Sequence, residues 1–102
     1  MKNNTNFHDD YYYYDIVRKN IRKYRLLSGK TQQQLADDID VTMHYISQIE
    51  NANPNKYFTL VVIGRIADAL NIDIRKLFFN FLKVNNIYFQ YIAYFLNFRV
   101  HF

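Results

Sequence analysis

The sequence has no cysteine, which excludes disulfides, thiol nucleophiles and thiolate-bound zinc or iron–sulfur centres. Glycine occurs twice and proline once, which argues against an all-β fold punctuated by tight turns and against disorder. No apolar run reaches the roughly 20 residues that cross a bilayer; the longest, Ile87 to Phe98, is interrupted by Gln90 and Asn97. The first fifteen residues lack the apolar core of a secretory signal, so a cytoplasmic location is expected. Acidic residues are missing from Ile16 to Ala36, where Arg18, Lys19, Arg22, Lys23, Arg25 and Lys30 lie. These six cations dominate a net charge of +4. Such a stripe suits a polyanion, whose condensed counterions are released on binding, and it equally suits a solvated helix face.

At 102 residues the chain is long enough for one core and too short for two. Three zones are visible. Residues 1–14 are polar, then tyrosine-rich, and read as a mobile arm. Residues 15–79 show helical periodicity almost throughout, and residues 80–102 are strongly aromatic.

Start and stop signals place five short helices in the middle zone. The first runs from about Asp15 to Leu27 and stops at Ser28-Gly29. The second opens at Thr31, with Gln34 completing a capping box, and ends near Ile39. Thr42 caps the third, which reaches about Asn51. After loop chemistry at Asn51-Ala52-Asn53-Pro54-Asn55, Thr59 caps a fourth helix to Leu70, and Asp73 caps a short last turn carrying Leu77 and Phe78.

Only Asp40-Val41 separates the second and third helices, a connection that describes a helix-turn-helix. Leu35, Ala36, Ile39, Val41, Ile46 and Ile49 are apolar or small where the two helices must meet each other and the core. At about 100° per residue, Met43, His44, Ser47, Gln48 and Asn51 share one side of the third helix, and Tyr45, Ile46, Ile49 and Glu50 share the other. The first side carries amide, hydroxyl and thioether groups and no carboxylate or ammonium. Surfaces that serve solubility are usually richer in Lys and Glu. Amides and thioethers suit the edges of bases, where Gln bonds adenine and Met meets a thymine methyl. An ordinary polar face is the competing reading.

The stretch from Ile21 to Phe78 resembles the helix-turn-helix domain of the Cro and lambda-type phage repressors, the XRE family. The matching residues are Arg25-Leu26-Leu27-Ser28-Gly29-Lys30-Thr31-Gln32, Leu35-Ala36, Val41-Thr42 and Ile46-Ser47-Gln48-Ile49-Glu50-Asn51. Leu60, Ile63, Ile66-Ala67, Leu70, Ile72 and Leu77 match its closing core. The resemblance implies an all-α, compact five-helix lambda-repressor-like bundle that binds double-stranded DNA without cofactor or metal. It implies base reading by Met43, His44, Ser47 and Gln48, and phosphate contacts from Gln32 and Asn51. Arg22 and Lys30 of the basic stripe join that phosphate set. Arg25 and Glu50 match a partly buried salt bridge; a phosphate contact is the other reading of Arg25. One departure stands out: Asp40 occupies a turn position where relatives usually carry Gly, which brings local strain and a negative charge near the DNA side.

Other combinations lack chemistry. His8-Asp9-Asp10 has no second ligand cluster to complete a metal site. His44 and His101 have no catalytic partner, Asp37 and Asp38 diverge around their helix, and no phosphate-cradling loop is present, so no enzyme is expected.

The aromatic zone can form one amphipathic helix through Val84, Tyr88, Tyr91, Ile92, Phe95 and Phe98. So much aromatic surface invites association. Dimerisation and packing back onto the domain rank first, an irregular extension follows, and an interfacial membrane helix ranks last. The functional expectation is a sequence-specific transcriptional regulator, a repressor acting as a homodimer. The alternative is a protein-interaction module, such as an antitoxin that binds a partner protein through the aromatic tail.

Overall fold

The computed structural model describes residues 7–51 and 57–80. Five helices follow in chain order: α1 (Tyr12–Leu27), α2 (Gln32–Asp38), α3 (Met43–Asn51), α4 (Leu60–Ala69) and α5 (Arg75–Phe78). All described regular structure is helical. The centre of the loop expected before α4 and the helix expected over Val84 to Phe98, with His101 beyond it, lie outside the described residues.

The three threonine caps that the sequence specifies are made, while α5 has Ile74 at its N-cap with no side-chain cap. Thr31 Oγ1 accepts from the Gln34 amide at 3.0 Å, and Gln34 Oε1 accepts from the Thr31 amide at 2.8 Å. Thr42 Oγ1 accepts from the Tyr45 amide, and Thr59 Oγ1 from the Val62 amide. Asp73 Oδ1 accepts from the Arg75 amide at 2.8 Å. The Arg75 guanidinium, which also donates to it, helps to hold the Asp73 carboxyl down at about 2. A depressed carboxyl of this kind holds the turn at neutral pH, and its support fades as the pH falls through that value.

Helix α1 starts three residues before the expected Asp15, and the cause lies in the tyrosine run. Asp9 accepts from the Tyr11 amide through its side chain and from the Tyr12 amide through its carbonyl. Tyr14 then meets the buried Phe58 edge-on at 5.0 Å, and Tyr11 stacks on Tyr57 at 5.1 Å. The Tyr11 hydrogen bond pushes the Tyr57 hydroxyl up to about 12. The run that reads as a polar arm is therefore an aromatic tie between the start of α1 and the strand of chain entering α4.

Three helices end in the same way. Gly29 after α1, Asp40 after α2 and Asn71 after α4 all have positive φ, at 76°, 59° and 56°. The following amides close back on the helix: Lys30 to the Arg25 carbonyl, Val41 to Ala36 and Ile72 to Ala67. Each is a six-to-one hydrogen bond of the Schellman type. Asp40 thus takes the left-handed conformation that glycine adopts without strain. Asp40→Gly should raise stability by up to about 1 kcal/mol, a Tm gain of no more than about 8 °C for a domain this size. An unchanged or lower melting temperature would show the turn to be unstrained.

The core comprises Val17, Ile21, Leu35, Ala36, Ile39, Ile46, Ile49, Phe58, Ile63, Ile66, Ala67, Leu70 and Leu77. Five of the six helix-turn-helix positions picked out by pattern are buried there, and Val41 packs half-buried against them. Helices α2 and α3 pack on each other, α1 crosses α3, and α5 closes against α1. No helix among the described residues is long and apolar enough to cross a membrane.

Candidate nucleic-acid interface

The two sides of α3 differ as its sequence dictates. Ile46, Ile49 and Glu50 are buried, and Tyr45 is half-buried. Met43 is 46% exposed, His44 and Asn51 are exposed, and Ser47 and Gln48 are half-exposed. Asn51 Nδ2 donates to Ser47 Oγ at 2.9 Å, so two groups of the outward side are already oriented. The structure brings Met43, His44, Ser47, Gln48 and Asn51 onto one uncharged ridge.

Beneath that ridge lies a polar knot centred on Glu50, whose side chain is fully buried. Arg25 Nε donates to Glu50 Oε2 at 2.7 Å and Arg25 Nη2 to Oε1 at 2.9 Å. This two-pronged pairing matches the fork of the guanidinium to the carboxylate. Gln32 Nε2 donates to Glu50 Oε1 at 3.1 Å, and the exposed Arg22 stands 4.0 Å from the same oxygen. Three helices, α1, α2 and α3, thus converge on one carboxylate. Gln32, expected on phosphate, uses one amide proton on Glu50.

The basic stripe divides in two. Arg18 is buried, donating from Nε to the Ile49 carbonyl at 2.9 Å and from Nη1 to Asp15 at 2.6 Å. Arg25 also donates from Nη1 to the Lys30 carbonyl. Lys30, expected on phosphate, has its ammonium on Asp38 and donates to the Ala69 carbonyl at 2.8 Å, fastening α2 to the end of α4. Lys19, Arg22 and Lys23 remain exposed. Three of the six cations therefore hold the fold together. Charge counting along the sequence could not separate the two sets, because a buried arginine on a carbonyl looks the same as one facing solvent.

Sequence reasoning missed Arg18. The signal was the helical spacing, which sets Arg18 one turn after Tyr14 and on the same side of α1 as the buried Val17, Ile21 and Arg25. Its bond to Ile49 satisfies a carbonyl in the last turn of α3, where orphan acceptors gather. Asp40 borders a cleft lined by the cations Lys30 and Arg65 and by the carboxylates Asp38 and Asp68. Among the described residues no group of three or more His, Asp or Glu could hold a metal ion.

Comparison with known proteins fits this geometry. A family model described as helix-turn-helix matches residues 21–77, more than half of the chain. A comparison with curated proteins finds no match. Three solved structures share the fold. The restriction-modification controller protein C.AhdI from Aeromonas hydrophila is 28% identical, with a TM-score of 0.59 over 64% of this chain and 96% of its own. The hypothetical transcription factor NHTF from Neisseria is 21% identical, with a TM-score of 0.64 over 85% and 98%. The clp gene regulator ClgR from C. glutamicum is 20% identical, with a TM-score of 0.58 over 63% and 80%. The family match spans the three helices that meet at Glu50 together with the closing core, and the chain belongs to the XRE-type helix-turn-helix family of DNA-binding transcription regulators.

Proposed function

We propose that the chain reads a specific sequence of double-stranded DNA and represses transcription as a homodimer. The observation that carries this reading is the uncharged ridge of α3, fixed from below by the Arg25–Glu50 pair. Met43, His44, Ser47 and Gln48 supply donors, acceptors and a thioether matched to base edges in the major groove. Gln32, Asn51 and Arg22 flank that ridge and serve the phosphates, which set the register without reading sequence. Two copies read two half-sites about 34 Å apart. Repression needs nothing more than occupancy of a promoter, and the likeness to a controller protein supports a controlling role. The site of action is then the compartment that holds the DNA, the cytoplasm.

Fluorescence anisotropy with duplexes from the region upstream of the protein's own gene tests this reading. Specific sites should bind at least about 10³-fold more tightly than a scrambled duplex. Gln48→Ala should cut discrimination at one base pair by about 1–3 kcal/mol and leave the salt dependence unchanged. Equal binding to specific and scrambled duplexes would overturn sequence-specific reading, and a one-protomer complex by light scattering would overturn the dimer.

A further inference from the structure

The side of the bundle formed by α1, α4 and α5 carries an apolar groove of about 280 Å³, lined by Tyr13, Val17, Phe58, Leu60, Ile63 and Phe78. No lining residue belongs to α2 or α3. Its rim is unusually open for such side chains: Leu60 is 66% exposed and Tyr13 61%. Val61 and Phe79 add exposed apolar surface beside them in sequence. An apolar concavity bordered by exposed aromatic and aliphatic groups is a seat for another apolar segment.

We propose that this groove is filled by the chain's own residues 87–98, which fold back across α1, α4 and α5 of the same molecule. Three observations identify the occupant. The chain leaves the described structure at the groove itself, since Phe78 lines it and Asn80 Nδ2 donates to the Tyr12 hydroxyl at 3.1 Å. Asn20 Nδ2 fixes that exit by donating to the Leu77 and Phe79 carbonyls, both at 2.9 Å. The sequence that follows has the matching chemistry: Ile87 to Phe98 contains no charged residue and includes Tyr88, Phe89, Tyr91, Tyr94, Phe95 and Phe98.

Reach and concentration favour the same molecule over a second copy. The six residues from 81 to 86 span up to about 20 Å when extended, enough to turn back over a groove that begins at Phe78. A short link of this kind gives an effective concentration on the order of millimolar, far above micromolar solutions of a second copy. Because the groove shares no residue with α3, a seated tail leaves the ridge of Met43, His44, Ser47 and Gln48 open.

The absence of cysteine makes cross-linking a direct test, because only introduced thiols react. Full-length double variants pair Leu60→Cys with Tyr88→Cys, Tyr91→Cys or Phe95→Cys and are treated with a short bismaleimide at low micromolar concentration, without DNA. At least one pair should link within a single chain in more than about half of the molecules, given the short tether. The same tail thiols paired with Leu26→Cys, at the far end of α1, should remain unlinked. Dimers formed from mixtures of the single-cysteine proteins, in place of linked monomers, would move the tail to a second copy and overturn the proposal. Links no more frequent than in the Leu26→Cys controls would also overturn it.

Leu60→Asp offers a second reading that does not disturb folding, since Leu60 is exposed and a carboxylate suits the first turn of α4. Chymotrypsin should then cut after Tyr91 or Phe95 about fivefold faster or more, because cleavage tracks the population of the released tail. An unchanged rate counts against the seat. Neither readout involves DNA, so failure here and failure of the DNA-reading role are separate results.

Discussion

Replacing Glu50 by alanine lowers the stability of the fold by about 3–5 kcal/mol, the range for stripping one partner from a buried ion pair. The Glu50 side chain is fully buried and that of Arg25 only 7% exposed. Glu50→Ala leaves the Arg25 guanidinium with the Lys30 carbonyl alone and deprives Gln32 of its acceptor. The melting temperature should fall by at least about 12 °C, at roughly 4–8 °C per kcal/mol for a domain of this size. Ser47→Ala, on the outward side of the same helix, should stay within about 0.5 kcal/mol of the parent. Equal thermal melts for the two variants would remove the ion pair from the account of the fold. A further contrast comes from Arg25→Met combined with Glu50→Leu, which removes both charges. That double variant should recover most of the loss, since the penalty lies in the charge left unpaired.

The helix-turn-helix was legible because its constraints are local. A capping box needs Thr31 and Gln34 three residues apart, and a helix with one buried side displays it in Ile46, Ile49 and Glu50. Glu50 itself was informative because a carboxylate on an apolar arc requires a partner. Positive φ at Asp40 was implied by the resemblance, since relatives usually carry Gly at that turn position. What the sequence hid depends on contacts between distant segments. The tyrosine run looked like a solvated arm because its partners, Tyr57 and Phe58, lie more than forty residues further on. Arg18 and Lys30 read as members of the basic stripe because they also use backbone carbonyls, of Ile49 and Ala69, which no side-chain pattern reveals. Pattern therefore located α3 and its two sides and did not separate the buried cations from the exposed ones.

The division of the stripe into buried and exposed cations has a measurable consequence in the salt dependence of DNA binding. Were all six cations of the stripe on phosphates, log affinity would fall against log salt with a slope near −5.4 per protomer, at about −0.9 for each phosphate. With Arg18, Arg25 and Lys30 committed to internal acceptors, the stripe leaves Lys19, Arg22 and Lys23 exposed, and the slope should be no steeper than about −2.7 per protomer. A dimer would double this to about −5.4, a loss of affinity on the order of 10³ between 50 and 200 mM salt. Arg22 is the decisive residue, because it stands at the edge of the Glu50 knot with more than half of its side chain exposed. Arg22→Ala should flatten the slope by about 0.9 per protomer and scarcely change the melting temperature. Lys30→Ala should do the reverse: it should leave the slope unchanged and lower the melting temperature, because it unfastens α2 from the end of α4. If Lys30→Ala flattened the slope as much as Arg22→Ala, its ammonium would belong to the DNA after all, and the division of the stripe into internal and external cations would fail.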